Sequence, residues 1–257
     1  MIRFASLGSG SKGNATLIES GVDDTDTRIL LDCGFSVKET ESRLSRLERT
    51  AETITAIVIT HEHYDHVSGA GRLSRKYDIP VWLTVGTWVS CKDNDFFEVS
   101  FIDSHTNFEI ESLHVHPYPV PHDAREPCQF IFSDGESRLA ILTDVGCHTP
   151  HILKHLTKLD GLLLECNYDH EMLFAGNYPR KLKDRVASIR GHLDNRQATQ
   201  LLKELDLTNL KHLIGMHVSE KNNKKDLAIN ALCKGMSCKQ GDVSLASQID
   251  GFNWRSL

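Results

Sequence analysis

Seven consecutive residues, Thr60-His61-Glu62-His63-Tyr64-Asp65-His66, constrain this chain more than any other stretch. They follow the β-branched run Thr53–Thr60, which predicts a buried strand. The cluster therefore sits at a strand's carboxyl end, where α/β proteins place their sites. Three imidazoles and two carboxylates within six residues are too polar for a core. Neutral imidazole suits Zn, Mn and Fe, and carboxylates complete such a donor set. His61 and His63, two residues apart, project to one side of an extended chain. Asp65 and His66 then reach a second, neighbouring position as the chain turns.

Composition narrows the class. Of the 257 residues, 40% are hydrophobic and 25% charged, which excludes a disordered or fibrous chain. That length suits one domain over residues 1–257. No apolar stretch approaches the ~18–20 residues of a membrane span, and the first twenty residues hold no signal-peptide apolar region. Seven cysteines, an odd number without C-x-x-C spacing, lead us to expect reduced thiols and a cytoplasmic protein. Fourteen histidines are a surplus that calls for a role. The net charge of −6 conceals a basic stretch: Arg180–Lys239 carries 13 basic and 6 acidic residues. An acidic protein with one such stretch can hold a polyanion at a single face.

Short β-rich runs alternate with amphipathic ones. Strands are expected at Ile2–Leu7, Thr16–Ser20 and Arg28–Leu31, the last two joined by a turn over Asp23–Thr27. Further strands are expected at Val81–Leu83, Phe96–Ile102, Leu113–Tyr118, Gln129–Ser133, Arg138–Leu142, Gly161–Glu165 and His212–Met216. Helices are expected at Val37–Arg49, Asn195–Leu205 and Lys225–Cys233. Asp194 and Gln197 form a capping-box pattern before the second of these. With no linker and no repeat, the pattern is that of a single α/β domain.

The segment His61–His66 matches the H-x-H-x-D-H signature of the metallo-β-lactamase superfamily, which the chain therefore resembles. The resemblance implies a four-layer αββα sandwich and three further ligands in order: His122, Asp144 and His217. It assigns His61, His63 and His122 to one divalent ion and Asp65, His66 and His217 to another, with Asp144 bridging. Zn or Mn is expected, with Fe as a third possibility. Asp32 corresponds to an early, structural Asp of the superfamily. The histidines at 105, 114, 116, 148, 151, 155 and 212 are expected to be ordinary.

Two motifs point to phosphodiesters. Leu163-Leu164-Glu165-Cys166-Asn167 and Gly191-His192-Leu193-Asp194-Asn195 are similar to the Glu and His motifs of tRNase Z-type phosphodiesterases. There the His protonates the leaving oxygen, which an alkoxide leaving group needs. A carboxylate beside an imidazole favours its protonated form. Together with Ser9-Gly10-Ser11-Lys12-Gly13-Asn14, Leu31-Asp32-Cys33-Gly34 and His217-Val218-Ser219, these motifs resemble the YycJ (WalJ)-like group, DNA 5′-exonuclease-like phosphodiesterases. The likeness runs from Met1 to about Asn223, and the last thirty residues add little to it. Asp194 departs from the Ser of the group's pattern. Only 72 residues separate Asp144 from His217, leaving no room for a β-CASP insert.

The expectation is a dinuclear phosphodiesterase, a 5′-exonuclease acting on DNA in preference to RNA, with a metal-bridging hydroxide as nucleophile. Asp65, Glu165 and His192 are the expected catalytic residues, and Ser11, Asn14, Asn167, His170 and Lys221 the expected substrate contacts. A small-molecule phosphodiesterase of the same fold is the alternative, and a metal-stabilised regulatory protein a third. No membrane partner is expected, and the oligomeric state is open.

Overall fold

Strands buried on both faces read as continuous apolar runs, and two sheets of such strands fill the centre of the molecule. The computed structural model describes residues 1–21 and 27–257. In the first sheet β1 (Ile2–Gly8), β2 (Ala15–Ser20), β3 (Thr27–Leu31), β4 (Ala56–Val58), β5 (Val81–Thr84) and β6 (Val99–Ile102) lie side by side in chain order. The second sheet repeats that logic with β7 (Phe108–Ile110), β8 (Leu113–Pro119), β9 (Cys128–Ser133), β10 (Arg138–Leu142), β11 (Gly161–Glu165), β12 (His212–Met216) and β13 (Val243–Leu245). β14 (Phe252–Ser256) returns to the first sheet and pairs antiparallel with β1.

The period of two along each strand sorts its residues into layers. Phe4, Ile29, Leu31 and Val58 meet Phe130, Phe132, Leu163 and Met216 between the sheets. Their neighbours Leu30, Ile57 and Leu83 pack outward against α1 (Val37–Arg46) and α3 (Ala70–Tyr77). On the far side Leu162, Leu164 and Leu213 face α5 (Pro150–His155), α8 (Asn195–Glu204) and α9 (Lys225–Met236). The result is the four-layer αββα sandwich. Asp194 caps α8 in a full capping box with Gln197, as its sequence predicts. Among the described residues no helix is long and apolar enough to cross a membrane.

Several boundaries differ from expectation. The strand expected over Thr53–Thr60 contracts to β4, because a 3-10 turn takes Ala51–Thr53 and the chain leaves the ladder after Val58. The helix expected to Arg49 stops at Arg46, with Leu47 at its C-cap. The strand expected from Phe96 begins at Val99. Apart from Thr27, the turn over Asp23–Thr27 lies outside the described residues. The last thirty residues do more than expected: β13 and β14 extend one edge of each sheet. Trp254 of β14 lies beneath the Arg3 and Arg49 guanidiniums, 4.6 and 5.2 Å from its ring.

Candidate metal centre

Parallel strands present their carboxyl ends along one edge, and both sheets do so on the same side of the molecule. β10 and β12 lead to Asp144 and His217, and β11 ends on Glu165. β3 leads to Asp32, and β4 to the segment from Thr60 to His63. A one-turn helix, α2 (Tyr64–Val67), then carries Asp65 and His66. Asp32, Asp144 and His217 all have left-handed backbones, with φ of 61°, 54° and 53°. Each corner costs about 1 kcal/mol for a residue with a Cβ, and each turns a side chain into the centre. Gly34 lets the chain pass close behind: a Cβ there would lie 1.8 Å from the Asp65 carbonyl oxygen.

The expected donors converge. His61, His63 and His122 form one group whose donor atoms all lie within 4.8 Å of one another, and Asp65, His66 and His217 form another. Asp144 reaches both: its Oδ2 lies 3.3 Å from His66 Nε2, and its Oδ1 3.9 Å from His122 Nε2. Nearly every imidazole is fixed through its other nitrogen. Nδ1 of His66 donates to Asp32 Oδ2 at 2.8 Å, and Nδ1 of His122 to the Gly191 carbonyl at 3.0 Å. Nδ1 of His61 lies 2.9 Å from Thr60 Oγ1, and Nδ1 of His217 3.1 Å from Glu165 Oε1.

What remains fits a divalent cation. Nε2 of His61, Nε2 of His217 and Oδ2 of Asp144 are buried and, among the described residues, have no hydrogen-bond partner. Such atoms are costly unless something binds them. His63 Nδ1 and His122 Nε2 stand 3.2 Å apart, where two lone pairs repel unless a cation or proton joins them.

Electrostatics divide the two groups. Burial, reinforced by the neighbouring imidazoles, holds His61 well below the ordinary imidazole range, neutral and ready to ligate. Burial also lowers His122, with the Asp144 carboxylate opposing. Burial pulls His66 down as well, but Asp144, Asp32 and Asp65 outweigh it and push it up to about 9. His217 is driven well above its ordinary value against burial, first by Asp144 and then by Asp65 and Glu165. Burial raises Glu165, but His192 and His217 overcome it and keep the carboxylate below its usual range. The second group thus attracts positive charge, whether protons or a metal.

Glu165 is fully buried, and its Oε1 accepts from His192 Nδ1 at 2.8 Å. The other carboxylate oxygen accepts from the backbone N–H of Val145 and Leu193 at 3.2 and 3.0 Å. His192 keeps a fifth of its side chain exposed.

The expected contacts divide. Asn14 closes the Gly8–Asn14 loop and places Nδ2 3.1 Å from Asp65 Oδ2 and 3.0 Å from His66 Nε2. Asn167 is buried, and its amide donates to the His217 carbonyl oxygen at 2.8 Å. Ser11 and Lys221 line a cleft beside Ser219. His170 lies half-exposed on α6 (His170–Ala175), its Nδ1 3.7 Å from Asp194 Oδ2. Among the described residues, no donor group includes His148 or His151; His148 faces Glu204 at 3.3 Å.

Sequence reasoning missed several supports. Thr60 bridges Asp32 and His61, and Ser9 Oγ accepts from the His217 backbone N–H at 2.9 Å. Asp123 Oδ1 lies 3.5 Å from His122 Nε2, and Arg185 of α7 (Arg180–Val186) holds the other oxygen at 2.5 Å. Its position directly after His122 was the available signal.

A family model described as a beta-lactamase superfamily domain matches residues 27–218. The chain belongs to the metallo-β-lactamase superfamily. Within it, the chain is 34% identical to exodeoxyribonuclease YycJ of Bacillus anthracis, over 96% of this chain and 94% of that one. It is 32% identical to exodeoxyribonuclease WalJ of Streptococcus pneumoniae, over 88% and 85%. Among solved structures, the metallo-β-lactamase fold protein YhfI from Bacillus subtilis superposes with a TM-score of 0.75 at 15% identity, covering all of both chains. That likeness shows the superfamily's fold.

Proposed function

We propose that this superfamily member is a metal-dependent phosphodiesterase that removes nucleotides from the 5′ end of DNA. The observation that carries the reading is the 2.8 Å contact between Glu165 and His192, whose ligand atoms lie within 4.8 Å of those of Asp144 and His217. Two relatives matched over most of their length are named exodeoxyribonucleases, which supports DNA as the polymer. His61, His63 and His122 would hold one divalent ion, and Asp65, His66 and His217 a second, with Asp144 between them. Zn, Mn or Fe suits such a nitrogen and oxygen set. Bound there, the ions would supply an acidified water and neutralise charge growing on the phosphate.

The chain's own groups perform the rest. Glu165 anchors Nδ1 of His192, so Nε2 is the nitrogen that meets the leaving O3′. Water adds at phosphorus and loses a proton to solvent, the P–O3′ bond breaks, and the His192 proton passes to that oxygen. The basic segment Arg180–Lys239 supplies cations toward a polyanion. All seven cysteines are free, in keeping with a cytoplasmic setting. The test is digestion of 5′- and 3′-labelled DNA, single-stranded and duplex, by protein loaded with Mn²⁺ or Zn²⁺. Mononucleotides released first from the 5′ end are expected. Fully loaded protein that releases nothing from any DNA or RNA would overturn the reading.

A further inference from the structure

We propose that the rim of this centre carries a track for a single-stranded end, with Tyr64 and Tyr178 stacking on bases while Lys12, Arg72 and Lys221 face phosphates. The proposal rests on the nuclease reading above and specifies the form of its substrate.

Tyr64 stands between two donor residues, His63 and Asp65, yet it is 74% exposed. A ring left in water beside a polar centre contributes nothing to the core and offers a flat apolar face. It lines a cleft of about 340 Å³ with Lys12 and Arg72, within the size range of small-ligand sites. Lys12 also lines a second cleft, with Tyr178, Ser219 and Lys221. Lys12 therefore lines both clefts. Asn14, two residues beyond Lys12, touches Asp65 and His66; Ser219 follows His217 by two residues. The two clefts are thus lined by chain neighbours of the Asp65, His66 and His217 group.

Each cleft sets a tyrosine ring beside cations. Lys221 Nζ lies 5.8 Å from the Tyr178 ring centroid. Arg72 feels the carboxylate of Asp93, which Arg75 already binds at 2.9 Å. Two acidic groups border the clefts, and both are paired: Glu39 with Arg43 at 2.7 Å and Glu220 with Lys12 at 2.6 Å. The Lys12–Glu220 pair is exposed at both ends, so water screens it and a phosphate can displace the carboxylate. Cations following a backbone, interleaved with rings, are what an unpaired strand requires. A duplex keeps its base faces covered and offers such rings only its terminal pair.

The test is fluorescence anisotropy of metal-loaded protein with a labelled phosphorothioate oligothymidylate, the matching abasic strand and a blunt duplex. Tyr64→Ala and Tyr178→Ala should each weaken oligothymidylate binding by about 5-fold or more and leave abasic binding unchanged. Lys12→Ala and Lys221→Ala should weaken both single strands. Tyr64→Phe and Tyr178→Phe should bind like the unaltered protein, and metal content should match in every variant. Unchanged oligothymidylate binding in the Tyr→Ala variants overturns the track, as does a duplex bound more tightly than the single strand. The expected binding pattern in a protein that cuts no strand would instead sink the nuclease reading and leave the track standing.

Discussion

His192 and His217 share one oxygen: Oε1 of Glu165 lies 2.8 Å from Nδ1 of the first and 3.1 Å from Nδ1 of the second. One buried carboxylate thus positions both the group assigned to proton donation and a residue of the donor cluster. Replacing either imidazole tests a different half of that arrangement.

His192→Ala is expected to slow DNA hydrolysis by about 10²- to 10⁴-fold, the usual contribution of a general acid. Hydrolysis of a bis-nitrophenyl phosphodiester should suffer far less, because nitrophenolate leaves without a proton. Turnover rates on the two substrates check this, and equal losses would remove the acid role from His192.

Asp32 touches no substrate-facing atom, yet it fixes His66 through a 2.8 Å hydrogen bond and also accepts from Thr60. Asp32→Ala is expected to weaken metal binding by about 10- to 100-fold. Competition with a chromophoric chelator measures this directly. Full metal retention would show that His66 is held by packing alone.

The acid–base balance of the second group sets a pH dependence. His66 is raised from 6.5 to about 9 in the folded chain, so its protonated form favours folding. That stability is complete below pH 6.5 and is lost as pH rises toward about 9. Chelator-treated protein should therefore melt at a lower temperature at pH 9 than near neutrality. Metal must displace the same proton, so its affinity should rise over this interval and calorimetry in different buffers should show proton release. A melting temperature that climbs with pH in chelator would contradict the assignment.

Phe252 opens β14 and is buried between the sheets with Phe4, their rings 5.9 Å apart and edge-on. Phe252→Ala is expected to cost about 3–5 kcal/mol by leaving a cavity at the sheet edge. Urea titration followed by circular dichroism provides the measure, and a loss under ~1 kcal/mol would mean that the edge collapses to fill the gap.

The donor residues were legible because their chemistry admits few other uses. His61, His63, Asp65 and His66 fall within a six-residue span, and His122, Asp144 and His217 each follow an apolar run. Long buried strands such as β9 and β11 were legible for a similar reason, since six or five apolar-rich residues bounded by turns leave little choice. Shorter elements were not. The four residues of α2 complete barely one turn and show no period. Asn253, Arg255 and Ser256 make β14 look like a polar tail, because only Phe252 of its outermost residues faces the core. Thr60 and Ser9 were invisible as supports, since a hydroxyl's partner depends on distant chain that only the fold brings near.

The pairing of β1 with β14 joins Arg3 to Ser256, across almost the whole chain. On a ribosome, β1 must wait for residues more than two hundred positions later before its outer edge is covered. Until then β1 shows one row of open backbone groups, an invitation to a neighbouring nascent chain. The hairpin with β2 can form early, whereas completion of the first sheet is a late, long-range step. Synthesis speed and chaperone supply should therefore influence the yield of this protein.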